Sequence, residues 1–360
     1  MLIHCLDWIS LVSCAGALSR IYANSTLAAA NPSLRDAIVV MMRAAIGKST
    51  TRSYDSAFRS WTTFCGLPTV NLDPFQPKEE YLCFYAAWAF SRSPRPLAYS
   101  SIKVYLSGIR TSLIHFGFTF PPYSEMPLLE RQLIGYRRIR HTIRRTQKPL
   151  TPHILNQLYC RRGSTSDDLV MWAALTCGVY GLFRTGELTI ASAHEPYLQR
   201  SACFLEGPGH YRLHLDASKT DIFRQGADVH IMGNGSLSCP ASALTAMLAL
   251  RPSSSSLASE PLFRLSNGRA LTRDRLISFM HRLLTLGGIN PDGYSGHSMR
   301  RGGAQALFDA GISERDIQVY GRWRSWCFRL YFSLTTDSLS SFSRKMSRIG
   351  PSVTIFSAAF

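Results

Sequence analysis

Between Arg131 and Ser166 the chain carries nine Lys or Arg residues and no Asp or Glu: Arg131, Arg137, Arg138, Arg140, Arg144, Arg145, Lys148, Arg161 and Arg162. Unpaired charge of this density cannot enter a core, so the segment reads as a surface connector. It also marks a change in hydrophobic pattern. Before it, apolar residues recur at three- and four-residue steps, as on helices; after it, helical stretches mix with strict alternation. The 360 residues suffice for two average domains. Thr146 to Pro149 reads as the linker proper, and Thr151 followed by Pro152 is a helix cap with proline in the first turn.

In the N-terminal part, Ser49-Thr50 can cap a helix whose buried face carries Tyr54, Phe58, Trp61 and Phe64-Cys65, and Gly66-Leu67-Pro68 ends it. Pro77 opens a second helix with Tyr81, Phe84 and Trp88 as its core face, a third begins near Tyr99, and a fourth ends near Tyr136, which makes a compact bundle. The first 30 residues are apolar and rich in small residues, read as poorly ordered or as an extra helix. Ile9 to Leu18 is too short to span a bilayer, and with no basic segment before it a signal peptide is not expected. In the C-terminal part, Leu169 to Leu182 reads as a buried helix. Tyr211 to Asp216 alternates and can pair with Val229 to Met232. Helices are predicted near 241–250, 272–286, 301–310, 314–320 and 326–334, and the tail after Thr335 is serine-rich.

The formal charge of +17 makes a polyanionic partner, DNA or RNA, the simplest reason for such an imbalance. An arginine-dense connector can lie along a phosphate backbone. The nine cysteines form no CxxC pair and no Cys/His zinc spacing. They fit reduced thiols of the cytosol or nucleus better than a disulfide framework.

Four short motifs follow in order: Gly181-Leu182-Phe183-Arg184-Thr185-Gly186-Glu187-Leu188; Ser218-Lys219-Thr220-Asp221 beside a hairpin; Gly296-His297-Ser298-Met299-Arg300-Arg301-Gly302-Gly303-Ala304; and Gly321-Arg322-Trp323-Arg324-Ser325, with Tyr331 eight residues past Trp323. Arg184 and Arg300 can each fork onto a phosphate and neutralise charge developing at phosphorus. Lys219 can protonate a leaving alkoxide. His297 lies one helical turn before Arg300, so both can reach one phosphate. Tyr331 can attack that phosphate and form a covalent intermediate. Glu187, one turn from Arg184, can orient its neighbours. Such a set needs neither metal nor other cofactor, because the guanidinium groups supply the electrostatics.

Taken together the motifs resemble the tyrosine recombinase, or phage integrase, family over roughly residues 49–331. Phe183 to Leu188 looks like its first-arginine motif, Ser218 to Asp221 its hairpin-lysine motif, and His297 to Arg300 its His-x-x-Arg motif. Ser49 to Tyr54 and the Ser100, Ile102, Tyr105, Leu106, Ile109 spacing look like its helical core-binding domain. Trp323 stands where many members carry His; a tryptophan there is a known alternative that can donate its indole N–H but cannot act as a base. The Gly-Arg-Trp-x-Ser and Gly-His-Ser-x-Arg-Arg-Gly-Gly-Ala forms resemble recombinases of eukaryotic mobile elements of the DIRS and Crypton kinds.

The resemblance implies a mainly helical α+β fold: a SAM-like core-binding bundle followed by a mixed catalytic domain with a small antiparallel sheet, the fold of DNA breaking-rejoining enzymes. Its implied divisions are an extension over 1–32, the core-binding domain over 33–142, the basic linker over 143–151, the catalytic domain over 152–336 and a tail over 337–360. It implies a site-specific recombinase that works through a 3′-phosphotyrosyl link on Tyr331. Lys219 is then the leaving-group acid, Arg184, Arg300 and Trp323 bind the non-bridging oxygens, His297 assists proton transfer, and Glu187 holds the arginines. Arg52, Arg131, Arg137, Arg138, Arg140, Arg144, Arg145 and Lys148 are the expected duplex contacts. The implied partner is double-stranded DNA, bound by a homotetramer in the nucleus or in a nucleocytoplasmic, not secreted, setting, with no membrane association and no small-molecule cofactor. Two other readings of the same residues are a type IB topoisomerase-like DNA-relaxing enzyme and a domesticated, inactive DNA-binding protein.

Overall fold

The computed structural model describes residues 25–139, 147–192, 195–216, 225–251 and 258–332. Arg140, Arg144 and Arg145 of the connector, the hairpin-lysine motif with Lys219, and the tail lie outside them. The chain divides into two compact units, Met1–Arg144 and Arg145–Phe360.

The first unit is helical: α1 (Thr26–Ala30), α2 (Pro32–Ala44), α3 (Lys48–Cys65), α4 (Glu79–Ser91), α5 (Tyr99–His115) and α6 (Pro127–Ile139). Its core gathers Phe58, Trp61, Phe64, Leu82, Tyr85, Ile102, Leu106, Ile109, Leu113, Leu129 and Tyr136. Gly108 lets α5 approach α3 closely, since a Cβ there would sit 2.7 Å from the Ala57 Cβ. Two buried aromatic residues place their polar ends on carbonyls: Trp61 Nε1 donates to that of Pro74 at 2.9 Å, and the Tyr136 hydroxyl to that of Leu97 at 2.7 Å. Glu79 of α4 accepts from the N–H groups of Leu128 and Leu129 at 2.7 and 3.0 Å, which places a carboxylate on the positive end of α6.

Two expectations for this unit need correction. Helix α3 begins at Lys48 with Gly47 as its N-cap, so Ser49-Thr50 fall inside the first turn rather than at the cap. The buried positions of α4 are Leu82, Tyr85, Ala86 and Ala89, one step from the expected Tyr81, Phe84 and Trp88; Phe84 is exposed. That helix is apolar on nearly every side, so its spacing alone could not select the inward face.

The second unit is built around α8 (Ser166–Tyr180), whose residues from Val170 to Val179 are all buried. Its start is fixed by a reciprocal cap between Thr165 and Asp168. Before it, α7 (Pro152–Leu158) is capped by Thr151, whose hydroxyl accepts from the Ile154 N–H. After it come α9 (Thr185–Leu188) and a meander of β1 (Cys203–Gly207), β2 (His210–Leu215) and β3 (Ala227–Met232), antiparallel and adjacent in chain order. Tyr211, Leu213, Leu215, Val229 and Ile231 point into the core. The reading from spacing missed β1, an edge strand whose Phe204, Leu205 and Glu206 are all exposed and which therefore shows no alternation. The chain continues through α10 (Pro240–Ala249), α11 (Arg273–Leu286), α12 (His297–Asp309) and α13 (Glu314–Tyr320), then a 3-10 run over Trp326–Tyr331. The predicted helix over 326–334 is thus a short 3-10 segment where described. The unit is mostly helical with one small antiparallel sheet.

Helix α12 starts at His297, four residues before the expected start, and keeps Gly302 and Gly303 in its middle. Two central glycines weaken a helix, but here they are the contact surface. A Cβ on Gly302 would lie 1.8 Å from the Leu150 carbonyl oxygen, and one on Gly303 2.1 Å from that of Val179. The close approach seats α12 on α8 and on the segment entering α7. Gly302→Ala is expected to destabilise the protein by about 3 kcal/mol through overpacking, read as a lower urea midpoint at unchanged slope. An unchanged midpoint would mean that this contact does not fix the position of α12.

Candidate active site

The site begins where α8 ends. Gly181 closes the helix and Leu182 takes a left-handed conformation, φ 49°. The Phe183 N–H returns to the Gly178 carbonyl at 3.1 Å. This turn exposes the carbonyls of Gly181 and Leu182 toward the arginines and delivers Arg184 as the N-cap of α9. One turn on, Glu187 reaches back. Its carboxylate accepts from the Arg184 backbone N–H and from Arg184 Nη1, each at 2.8 Å.

Arg300, on the second turn of α12, is buried at 2 % exposure. Its Nη1 donates to the Leu182 carbonyl at 2.5 Å and its Nη2 to the Gly321 carbonyl. Its guanidinium lies 4.2 Å from the Trp323 ring centroid. The expectation of a free two-pronged fork is therefore modified: one donor on each terminal nitrogen is committed to the fold. An arginine carries five donors, and Arg300 Nε is buried without a hydrogen-bond partner.

Arg322 was not singled out as a site residue from the sequence, yet it belongs here. It is left-handed, φ 58°, and donates to the carbonyls of Gly181 and Leu182 at 3.1 and 3.2 Å and to Glu187 Oε2 at 3.3 Å. The sequence signal was its place inside Gly321-Arg322-Trp323, but nothing in the residue order says that its side chain folds back. Gly321 is required for packing, since a Cβ there would lie 1.6 Å from the Trp323 ring.

Two guanidinium groups, Arg184 and Arg322, thus hold one carboxylate, Glu187, and a third, Arg300, shares the Leu182 carbonyl with Arg322. Burial foremost, then the neighbouring Arg184, with Arg322 adding less, lowers Arg300 to a pKa of about 10 against the opposing pull of Glu187 and Tyr331. Burial foremost, with Arg184 adding to it and Glu187 opposing, also lowers Arg322. Arg300 remains a cation near neutral pH, and with three guanidinium groups to one carboxylate the cluster favours an oxyanion.

Tyr331 ends the 3-10 run and packs, half-buried, against the cluster of Leu182, Ala304, Ile317, Trp323 and Phe328. Its ring meets that of Trp323 edge-on at 5.8 Å. The Arg301 guanidinium lies 5.0 Å from the Tyr331 centroid, and its Nη1 donates to the Leu330 carbonyl at 3.1 Å, which ties the segment to α12. His297 is exposed at the first residue of α12, three positions before Arg300. Thr185 Oγ1 donates to the Gly296 carbonyl at 2.5 Å and joins the Arg184 turn to the start of α12. Of the expected residues, Arg184, Glu187, Arg300, Trp323 and Tyr331 share one neighbourhood, His297 stands on the same helix, and Lys219 lies outside the described residues.

The expected duplex contacts fall on both units. Arg52 on α3 and Arg131, Arg137 and Arg138 on α6 are exposed in the first, with Arg137 lying 5.9 Å from the Tyr99 ring centroid. Lys148 belongs to the second unit and is half-buried, its N–H donating to the Gly293 carbonyl and its ammonium 5.6 Å from the Tyr294 ring centroid.

No known family profile matches the sequence, and no curated protein does. Solved structures do match. The Tn1549 transposon integrase in complex with transposon right end DNA is 13% identical, with 92% of this chain and 99% of that chain covered and a TM-score of 0.59. The XerH site-specific recombinase in its post-cleavage complex with a palindromic difH substrate is 14% identical, with 82% and 77% covered and a TM-score of 0.53. The mostly helical chain with its small three-stranded antiparallel sheet therefore has the fold of the tyrosine recombinases.

Proposed function

We propose that this protein is a tyrosine recombinase that breaks and rejoins DNA. The observation that carries the reading is the cluster of three arginines with Glu187, with a phenol one aromatic ring away from the buried guanidinium of Arg300. Excess positive charge in a largely dry site is what a phosphate passing through a five-coordinate state requires. The likeness in fold to an integrase and a recombinase, both solved with DNA, supports the same reading.

In the proposed reaction the Tyr331 oxygen attacks phosphorus, a phosphotyrosyl bond to the 3′ side forms, and the bond to the 5′ oxygen breaks. Lys219 gives its proton to the leaving 5′ oxygen, and His297 assists removal of the phenolic proton. Arg184, Arg300 and the Trp323 indole N–H face the non-bridging oxygens, while Glu187 and Arg322 hold Arg184 and the Gly181-Leu182 turn in place. The tyrosyl ester conserves the phosphodiester energy, so the reverse attack by a 5′-hydroxyl reseals the strand without a nucleotide cofactor. The exposed arginines of α3 and α6, with the connector, supply backbone contacts. The Gly296–Ala304 and Gly321–Ser325 motifs favour descent from a eukaryotic mobile element, action in the nucleus and assembly as a tetramer on DNA.

The test is trapping on suicide duplexes, nicked so that the cleaved end diffuses away, in a pool with randomised core sequence. The folded protein is expected to form an SDS-resistant adduct with a subset of the pool. DNA binding without an adduct anywhere in the pool would remove the enzymatic reading.

A further inference from the structure

A second group of arginines lies on other elements. Arg251 follows α10, Arg264 lies six residues after Ala258, and Arg200 sits in a 3-10 turn that leads into β1. Backbone pairing brings these stretches together: the Arg200 N–H donates to the Glu260 carbonyl at 2.8 Å, Ser201 to Ala258 at 3.0 Å, and Leu262 to Leu198 at 2.8 Å. Arg251 Nη1 and Arg264 Nη1 both reach the same oxygen, Glu260 Oε2, at 3.2 and 3.3 Å. Glu260 is the only acid between Arg251 and Arg264 in the sequence.

The ratio is again three guanidinium groups to one carboxylate, in partly dry surroundings: the side chains of Arg251, Glu260 and Arg264 are 19%, 17% and 33% exposed. Among the described residues Glu260 is the carboxylate that Arg251 and Arg264 reach, and Arg200 adds a third positive charge felt at Arg251. Arg200 carries the clearest mark of incompleteness, because its Nη1 is buried with no hydrogen-bond partner. Repulsion is felt within the group. Burial, Arg264 and Arg200 lower the pKa of Arg251, and Glu260 only partly offsets them.

We propose that Arg200, Arg251 and Arg264 form a second oxyanion site, separate from the candidate active site, that takes a phosphate group in competition with Glu260. A tetrahedral phosphate offers enough acceptors to satisfy the Arg200 Nη1 and to share the two Nη1 donors that now converge on Glu260 Oε2, while Arg251 Nη2 and Arg264 Nε stay on the Leu262 and Gly268 carbonyls. The site does not depend on the recombinase reading, and its arginines are not those near Tyr331. Its phosphate comes either from solution or from a DNA backbone.

The experiment is hydrogen exchange on the full chain, titrated with inorganic phosphate at constant ionic strength, reading the amides of 199–202 and 258–264. Protection of both segments is expected. Arg264→Gln should move its midpoint to about ten-fold higher phosphate. Glu260→Gln, which keeps size and shape, should move it about ten-fold lower, because the competing charge is gone. A purely structural ion-pair network predicts the opposite. No protection in the unmodified protein, or an unshifted or raised midpoint in Glu260→Gln, overturns the site, and that second variant decides the matter even if Arg264→Gln folds poorly. A duplex of arbitrary sequence then identifies the source. A salt slope smaller by about one in Arg264→Gln assigns a backbone phosphate to the site, and an unchanged slope with phosphate protection retained assigns free phosphate.

Discussion

Tyr331→Phe is expected to bind DNA as the unmodified protein does and to yield no covalent adduct at all. The substitution removes one oxygen and little else. The ring keeps its edge-on contact with Trp323, its place beside the Arg301 guanidinium and its packing against the aromatic cluster. Stability should therefore change by less than about 1 kcal/mol. Binding is carried by cations scattered over the surface, none of which the change touches. Cleavage in the proposed reaction, in contrast, depends on a single nucleophile, and the neighbouring Phe328 and Phe332 have no oxygen to substitute for it. Mobility shift at fixed salt should give matching affinities, while SDS gels on suicide duplexes should show the adduct with the unmodified protein alone. An adduct that persists in the variant would assign the covalent link to another side chain.

What could be read from the sequence follows the physics of each part. The helix caps were legible where chemistry is local: Thr151 before Pro152 is a cap in the sequence and a cap in the fold. So was the β2–β3 pair, because inward Tyr211, Leu213 and Leu215 alternate with outward Arg212 and His214. Legibility failed where a pattern saturates or vanishes. Helix α4 is apolar almost all round, so its inward face had to be found by packing, and edge strand β1 buries too little to alternate. The helix of the glycine pair was read four residues short, and only the Leu150 and Val179 carbonyls explain why Gly302 and Gly303 stand in its middle.

The site divides in the same way. Arg184 and Glu187 are three residues apart, so their pairing is a local event. Arg300, Trp323 and Tyr331 were named from motif order, and their neighbourhood is a tertiary result. Arg322 was missed because its role comes from a left-handed backbone that turns a side chain back under Glu187, which no spacing rule encodes. Its presence changes the electrostatic argument. With two arginines to one carboxylate the cluster would hold one surplus charge; with three it holds two, closer to what a pentacoordinate phosphorane carries.

Arg300→Lys is the second large effect expected, and pH separates its two components. The substitution keeps a positive charge but offers one nitrogen where the fold uses two, at Leu182 and at Gly321. It also loses the flat cation that lies against Trp323. The Leu182 carbonyl keeps its bond from Arg322, but one ammonium cannot hold both contacts, and weakening the buried Gly321 contact costs about 1–3 kcal/mol of stability. Loss of a fixed donor beside the phosphate is expected to slow cleavage by ~10²–10³ at neutral pH. The charge itself then becomes vulnerable. Burial and the flanking arginines hold Arg300 near a pKa of about 10, far enough above neutrality to stay charged. The same surroundings acting on an ammonium group, whose ordinary value is about 10.4, lower it toward neutrality. Residual cleavage by the variant should therefore fall further as pH rises from 7 to 9, while the unmodified protein holds its charge through that range. Stability should move the other way. A cation whose folded pKa lies below its unfolded value binds fewer protons when folded, so the variant should gain stability as pH rises toward the ordinary lysine value of about 10.4. Single-turnover cleavage and urea midpoints measured at the same pH values test both slopes. Parallel slopes, or a variant whose cleavage is independent of pH across that range, would show that Arg300 acts by shape alone and not by the charge it places beside the phosphate.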